Sequence, residues 1–212
     1  MGYFWLSNIT ASFDLSGAYN YNSSGGTNHI DHDSVGHYIV TLGGLGGQSG
    51  NVQVTAYGTT PGTCRVSYWG TTGVNQPIGV TCRDVAGSFV DKSFNLTYVD
   101  GIGLQGYTTG KYAYFWADKP HAASYLPASL YRSSSSGSGP AVIRMGVGRY
   151  TVHLLGITTH GGSVQVTAYG TGKVRCQVSG IATVASPETV SVRCFKPNGA
   201  LTDSKYSFMF TR

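Results

Sequence analysis

The stretch "NVQVTAYGT" at residues 51–59 returns as "SVQVTAYGT" at 163–171, 112 residues further on. Each reads as a strand, because Val52, Val54 and Ala56 alternate with polar residues and fall on one face of an extended chain. Two longer segments recur at the same offset: "VGHYIVTL" (35–42) as "VGRYTVHL" (147–154), and "VTCRDVAGSFVDKSF" (80–94) as "VRCFKPNGALTDSKY" (192–206). "YFW" at 3–5 matches "YFW" at 114–116, with one residue inserted in the second copy. The chain is therefore read as a duplication, with repeats over 1–101 and 112–212 and a Gly/Thr-rich linker over 102–111. Two copies of this length make two domains, not a solenoid.

Within each copy the strand signals are dense. "YIVTL", "CRVSYW", "IGVTCR" and "SFNLTYV" are short runs of β-branched and aromatic residues bounded by Gly, Asn or Pro, and no helical period intervenes. The expected fold class is all-β, with two tandem antiparallel β-sandwiches of roughly immunoglobulin-like size. Hydrophobic residues at 41% supply a core, although charged residues are only 11% and Gly numbers 31. No apolar stretch approaches the ~20 residues needed to span a bilayer.

The four cysteines, Cys64, Cys82, Cys176 and Cys194, form two pairs with one spacing. That pattern predicts one disulfide inside each domain rather than a zinc site, and places each bridge across a hairpin. Disulfides persist in oxidising compartments, so the protein is expected to be secreted. Met1-Gly2 runs straight into Tyr3-Phe4-Trp5, which reads as a mature sequence with a start codon added.

The segments "YAYFWADKP", "ASYLPASLY", "SSSSGSG", "GRYTV" and "VQVTAYG", followed by two cysteines and an aspartate, resemble a repeat of secreted actinobacterial and other soil-bacterial proteins. The second copy follows the pattern more closely. The resemblance implies secretion and a β domain, and implies no chemistry.

Positions identical in the two copies are read as scaffold: Trp5/Trp116, Tyr38/Tyr150, Tyr57/Tyr169, Gly87/Gly199 and Asp91/Asp203. Each of these aspartates follows a glycine turn by four residues, where a carboxylate bonds turn backbone. Positions that differ are where a function is sought. Residues 1–110 carry three basic and six acidic side chains, net −3, and residues 111–212 carry eleven and three, net +8. A domain of +8 can attract an anionic polymer, or the charge can serve domain pairing or solubility. No basic run exceeds two residues, which argues against nucleic acid.

Tyr68 and Trp69 have Gly180 and Ile181 as counterparts, and Tyr21 has Ser133. Rings beside amides and hydroxyls suit a sugar, so Tyr21, Asn22, Tyr68, Trp69 and Asn75 form the candidate ligand site. The competing reading is local repacking, with Trp69 filling space. In "HIDHDSVGH" (29–37), an extended chain sends His29, Asp31 and Asp33 to one face, a partial ligand set for a divalent cation. The same stretch also reads as a charged edge strand guarded against pairing. A one-residue slip reverses the faces. Apart from that cation the sequence suggests no cofactor.

Catalysis is not expected. Glu188 is the one glutamate, so a glycosidase carboxylate pair is hard to assemble. "GGQSGN" lacks the spacing of a nucleophile elbow, and "LGGLGGQSG" lacks the Lys-Ser/Thr of a phosphate loop. The expected function is non-catalytic recognition of a glycan or cell-surface polymer. The alternative is an inhibitor or adhesion module that meets a protein partner such as a protease through "GTTGVNQP" or "SSSSGSGP". A metal-dependent hydrolase stands third. Sequons begin at Asn8, Asn22 and Asn95.

Overall fold

The computed structural model describes residues 1–7, 9–103, 110–157, 161–182 and 187–212. The Asn8 sequon and residues 104–109 of the expected linker lie outside the described residues. The described chain is all-β apart from one short 3-10 turn, Ser129–Tyr131. It divides into two compact units. The first comprises Met1–Gln48, Val52–Tyr98 and Tyr169–Lys173, and the second Ser49–Asn51, Val99–Ala168 and Val174–Arg212.

The first repeat supplies β1 (Gly2–Leu6), β2 (Phe13–Asp14), β3 (Asn20–Asn22), β4 (Asn28–Ser34), β5 (His37–Leu42), β6 (Asn51–Ala56), β7 (Thr63–Trp69), β8 (Gln76–Arg83) and β9 (Phe94–Val99). They form two antiparallel sheets, ordered β3-β1-β9-β6 and β2-β4-β5-β8-β7. The second repeat supplies β10 (Tyr112–Ala117), β11 (Ser124–Tyr125), β12 (Arg132–Ser134), β13 (Ala141–Gly146), β14 (Arg149–Leu154), β15 (Ser163–Ala168), β16 (Arg175–Ala182), β17 (Glu188–Phe195) and β18 (Tyr206–Thr211). Their order is β12-β10-β18-β15 and β11-β13-β14-β17-β16, the same topology strand for strand. The duplication is thus architectural as well as sequential.

Alternation sets each core. In the first unit Phe4, Leu6, Ile30, Val40, Leu42, Val52, Ile78, Phe94 and Leu96 are buried between the two sheets. Each such side chain contributes on the order of 1.5–3 kcal/mol by leaving water. Val152, Val190, Val192, Phe115, Phe208 and Phe210 fill the second.

Both disulfides join directly opposite residues of a hairpin, Cys64–Cys82 across β7/β8 and Cys176–Cys194 across β16/β17, with Cα atoms 4.1 and 4.0 Å apart. They staple neighbouring strands and do not bridge the sheets. Two such bridges fit an oxidising environment.

The shared aspartates lock the β4–β5 and β13–β14 turns. Gly36 and Gly148 hold φ of 71° and 62°, and a Cβ on either would strike the Cys82 or Cys194 carbonyl at 2.6 or 2.7 Å. Only glycine fits. Asp91 Oδ1 accepts the Gly36 N–H at 2.7 Å and the Tyr38 hydroxyl at 3.3 Å. Asp203 Oδ1 accepts the Gly148 N–H at 2.8 Å and the Tyr150 hydroxyl at 3.0 Å.

Candidate functional site

The alternation that buries Phe4 and Leu6 sends Tyr3 and Trp5 to the outer side of β1. β9 repeats the device, with Phe94, Leu96 and Tyr98 inward and Asn95 and Thr97 outward. Register then assembles a surface. Tyr21, Tyr3 and Thr97 share one cross-strand row, and Trp5 stands opposite Asn95 in a second row two residues further along β1. The Trp5 N–H bonds the Tyr19 carbonyl at 3.0 Å, which extends this second row.

The rings order one another. Tyr3 and Tyr21 stack with centroids 5.3 Å apart, and Trp5 meets Tyr19 and Tyr57 edge to face, each at 5.4 Å. Tyr19 is 68% exposed and Tyr57 51%. Trp5, Tyr19, Tyr57 and Asn95 line an open cleft of about 350 Å³. A neighbouring cleft of about 360 Å³ runs along Tyr3, Trp5, Ala18, Tyr19, Asn95 and Thr97. Neither lining contains a carboxylate, a histidine or a thiol. The Trp5 indole N–H is buried without an acceptor among the described residues. The surface can stack apolar ring faces and offer amide and hydroxyl partners, and it holds no nucleophile–base pair.

The residues singled out in the sequence scatter. Tyr21 lies on this surface, stacked on Tyr3. Asn22 is occupied in the β3–β4 turn, its amide donating to Asn28 Oδ1 and the Gly43 carbonyl, both at 2.9 Å. Asn75 Oδ1 accepts the Gly44 N–H at 3.2 Å, another turn clasp. Tyr68 is 42% exposed on β7. Trp69 packs against the core of the first unit and edge to face on Tyr169 at 5.2 Å.

β4 carries the histidine-aspartate stretch. Ile30 enters the core, and His29 and Asp31 point outward. His29 Nδ1 meets Asp14 Oδ1 at 2.6 Å and Nε2 meets Asp31 Oδ1 at 3.2 Å. The Asp14 hydrogen bond, joined by that of Asp31, outweighs a burial penalty and holds the imidazole above its ordinary pKa. The two carboxylates lie on different ring nitrogens and do not converge on one point. Asp33 sits in a register shift between His32 and Ser34. Among the described residues no group of three or more His, Cys, Asp or Glu is placed to hold a metal. Nor is β4 itself the sheet edge, because β2 pairs with it at Phe13↔Ile30 and Asp14↔His29.

The chain matches no family model, no curated protein and no solved structure. Function must therefore be read from the surface itself, and the second repeat supplies an internal control.

There the row has been filled. Trp116 and Tyr131 keep their edge-to-face contact at 5.2 Å, and the Lys205 ammonium lies 5.3 Å from the Trp116 ring. Tyr114, the counterpart of Tyr3, is buried. Its hydroxyl accepts the Gly101 N–H at 2.7 Å, and the Tyr112 hydroxyl donates to the Gly101 carbonyl at 2.8 Å. Burial pushes the Tyr114 phenol up to about 12. Residues 100–103 of the second unit thus occupy ground that the first unit leaves open.

Sequence reasoning missed Tyr3, Trp5, Tyr19, Tyr57, Asn95 and Thr97. The signal was present in "YFWL" and "FNLTYV", whose alternation sends Tyr3, Trp5, Asn95 and Thr97 away from the core. Treating duplicated rings as scaffold hid it.

Proposed function

We propose that the protein is a secreted, non-catalytic glycan-binding protein, and that its site is the aromatic surface of the first unit. The observation that carries this reading is the double row Tyr21–Tyr3–Thr97 and Tyr19–Trp5–Asn95, with Tyr57 against Trp5. A pyranose has apolar C–H faces and an equatorial girdle of hydroxyls. The faces suit the exposed tyrosines, and Asn95 and Thr97 suit the girdle. Rows two residues apart on one strand stand ~6.8 Å from each other, so the surface favours a glycan of more than one sugar.

The two hairpin disulfides support secretion, and among the described residues no helix is long and apolar enough to cross a membrane.

The test is a glycan array probed with the intact protein and with Tyr19→Ala and Tyr57→Ala variants. Tyr19 and Tyr57 are chosen because more than half of each residue is exposed, so the fold tolerates their loss. Hits on neutral oligosaccharides that vanish in both variants support the proposal. Blank arrays, together with stoichiometric inhibition of a protease, would move the function to a protein partner.

A further inference from the structure

The outer face of the second unit's five-stranded sheet carries an exposed cationic row, whereas the matching row of the first unit, His37–Thr81–Arg65, holds its one arginine buried. Arg149 on β14 lies directly opposite Arg193 on β17, and Gln177 on β16 lies opposite Arg193 on its other side. Strand alternation sends all three outward: Arg149, Arg193 and Gln177 are exposed, and Tyr150, Val192 and Cys194 beside them are buried. The next row offers Thr151 and Ser191, and Arg175 sits one row the other way, 5.6 Å from the Phe195 ring.

Like charges directly across a ladder destabilise the pair. Neither Arg149 nor Arg193 has an ion-pair or side-chain hydrogen-bond partner among the described residues. The carboxylates of this repeat are committed elsewhere: Asp203 to Arg144 at 2.8 Å, Glu188 in the interior, and one oxygen of Asp118 buried. The scaffold does not require the arginines, because the same positions in the first repeat are His37 and Thr81. A cost that the fold does not impose, and that no internal anion relieves, points outward.

We propose that this sheet face binds an anionic polysaccharide, one bearing sulfate or phosphate groups, through Arg149 and Arg193. Two guanidinium forks side by side match the tetrahedral oxygens of such groups in bidentate fashion. The hydroxyls of Thr151 and Ser191 and the Gln177 amide beside them suit the sugar backbone. Nucleic acid fits less well. The Arg149–Arg193–Gln177 row holds no ring on which single-stranded bases stack, and no basic run in the sequence exceeds two residues. The proposal does not rest on the aromatic cleft. The chain would then carry two different glycan specificities on its two repeats.

The experiment measures binding of the intact protein to immobilised heparin, to a phosphorylated mannan, to neutral dextran and to a single-stranded DNA of similar charge, over a salt series. The test variant is Arg149→His/Arg193→Thr, which installs the residues the first repeat already accommodates. A control variant, Lys119→Gln/Lys205→Gln, removes the same charge away from the row. The expected result is binding to one or both anionic polysaccharides that weakens with salt and falls at least about tenfold in the test variant alone, with a melting temperature no lower than the parent's. Preference for heparin or for the phosphorylated mannan tells sulfate from phosphate. Equal losses in the two variants, tighter binding to DNA than to either polysaccharide, or no binding to either polysaccharide at low salt would each overturn the proposal. Neutral-glycan binding by the first unit is expected to survive in the test variant, so the two sites fail separately.

Discussion

Arg144 in the second unit stands where His32 stands in the first, and each closes on the aspartate that locks a turn. Arg144 reaches Asp203 through two bonds of 3.1 and 2.8 Å, and His32 reaches Asp91 through one of 2.9 Å. The Arg144 hydrogen bonds, with those of Gly148 and Tyr150, hold the Asp203 carboxyl far below its ordinary range. Burial pushes Asp91 up, and the hydrogen bonds of Gly36, His32 and Tyr38 outweigh it and leave a net fall. A carboxyl depressed in the folded state contributes stability above its unfolded value of ~3.9 and loses it as pH falls towards its folded one. Both units are therefore expected to lose stability below about pH 4. At neutral pH, Asp203→Ala should destabilise by about 1–3 kcal/mol, because the Gly148 N–H and the Tyr150 hydroxyl lose their shared acceptor. Urea melts of Asp203→Ala at pH 7 and pH 3 check this; a penalty that does not shrink at pH 3 would contradict it.

His29 behaves with the opposite sign. Its folded pKa is raised by Asp14 and Asp31, so its small contribution is complete below the unfolded value and disappears as pH rises through the folded one. Imidazole NMR should show His29 titrating above an ordinary histidine, and Asp14→Asn should bring the midpoint down. An unmoved midpoint would mean that the 2.6 Å contact is not formed in solution.

Trp69 is expected to be a stability residue. Its ring packs on the first core and on Tyr169, so Trp69→Ala should destabilise by about 2–4 kcal/mol and leave glycan affinity within about twofold. A thermal melt paired with a binding isotherm separates the two. Loss of affinity without loss of melting temperature would return Trp69 to the ligand site.

Each hairpin disulfide closes a sequence separation of 18 residues, worth roughly 3 kcal/mol in the chain-entropy view. Because the bridges lie in different units, Cys64→Ala/Cys82→Ala should lower the melting of the first unit and leave hydrogen exchange in β14 and β17 unchanged. A uniform loss of protection across both units would show that the two cores melt as one.

What was legible in the sequence was local. The period-2 pattern of "VQVTAY", the matched cysteine spacing and the glycine–aspartate turns each report on neighbouring residues, and the strands, staples and turn locks follow from them. The aromatic surface is different in kind. Tyr21, Tyr3 and Thr97 come from three strands, and only their register makes them a row. Tyr3 and Tyr114 are identical letters with different surroundings, because Gly101 bonds Tyr112 and Tyr114 in the second unit while Tyr3 in the first stays 39% exposed. No pattern within either copy reports that covering. The arginine row was visible only as a net charge until pairing set Arg149 across from Arg193.

The most direct test of the central claim is the affinity of the intact protein for an array-selected neutral oligosaccharide, measured by calorimetry beside Tyr19→Ala and Tyr57→Ala. Binding is expected in the parent protein, with a loss of tenfold or more in each variant, about 1.4 kcal/mol or greater, and melting temperatures that stay put. Undiminished affinity in both variants would place the glycan elsewhere and contradict the assignment of the aromatic surface.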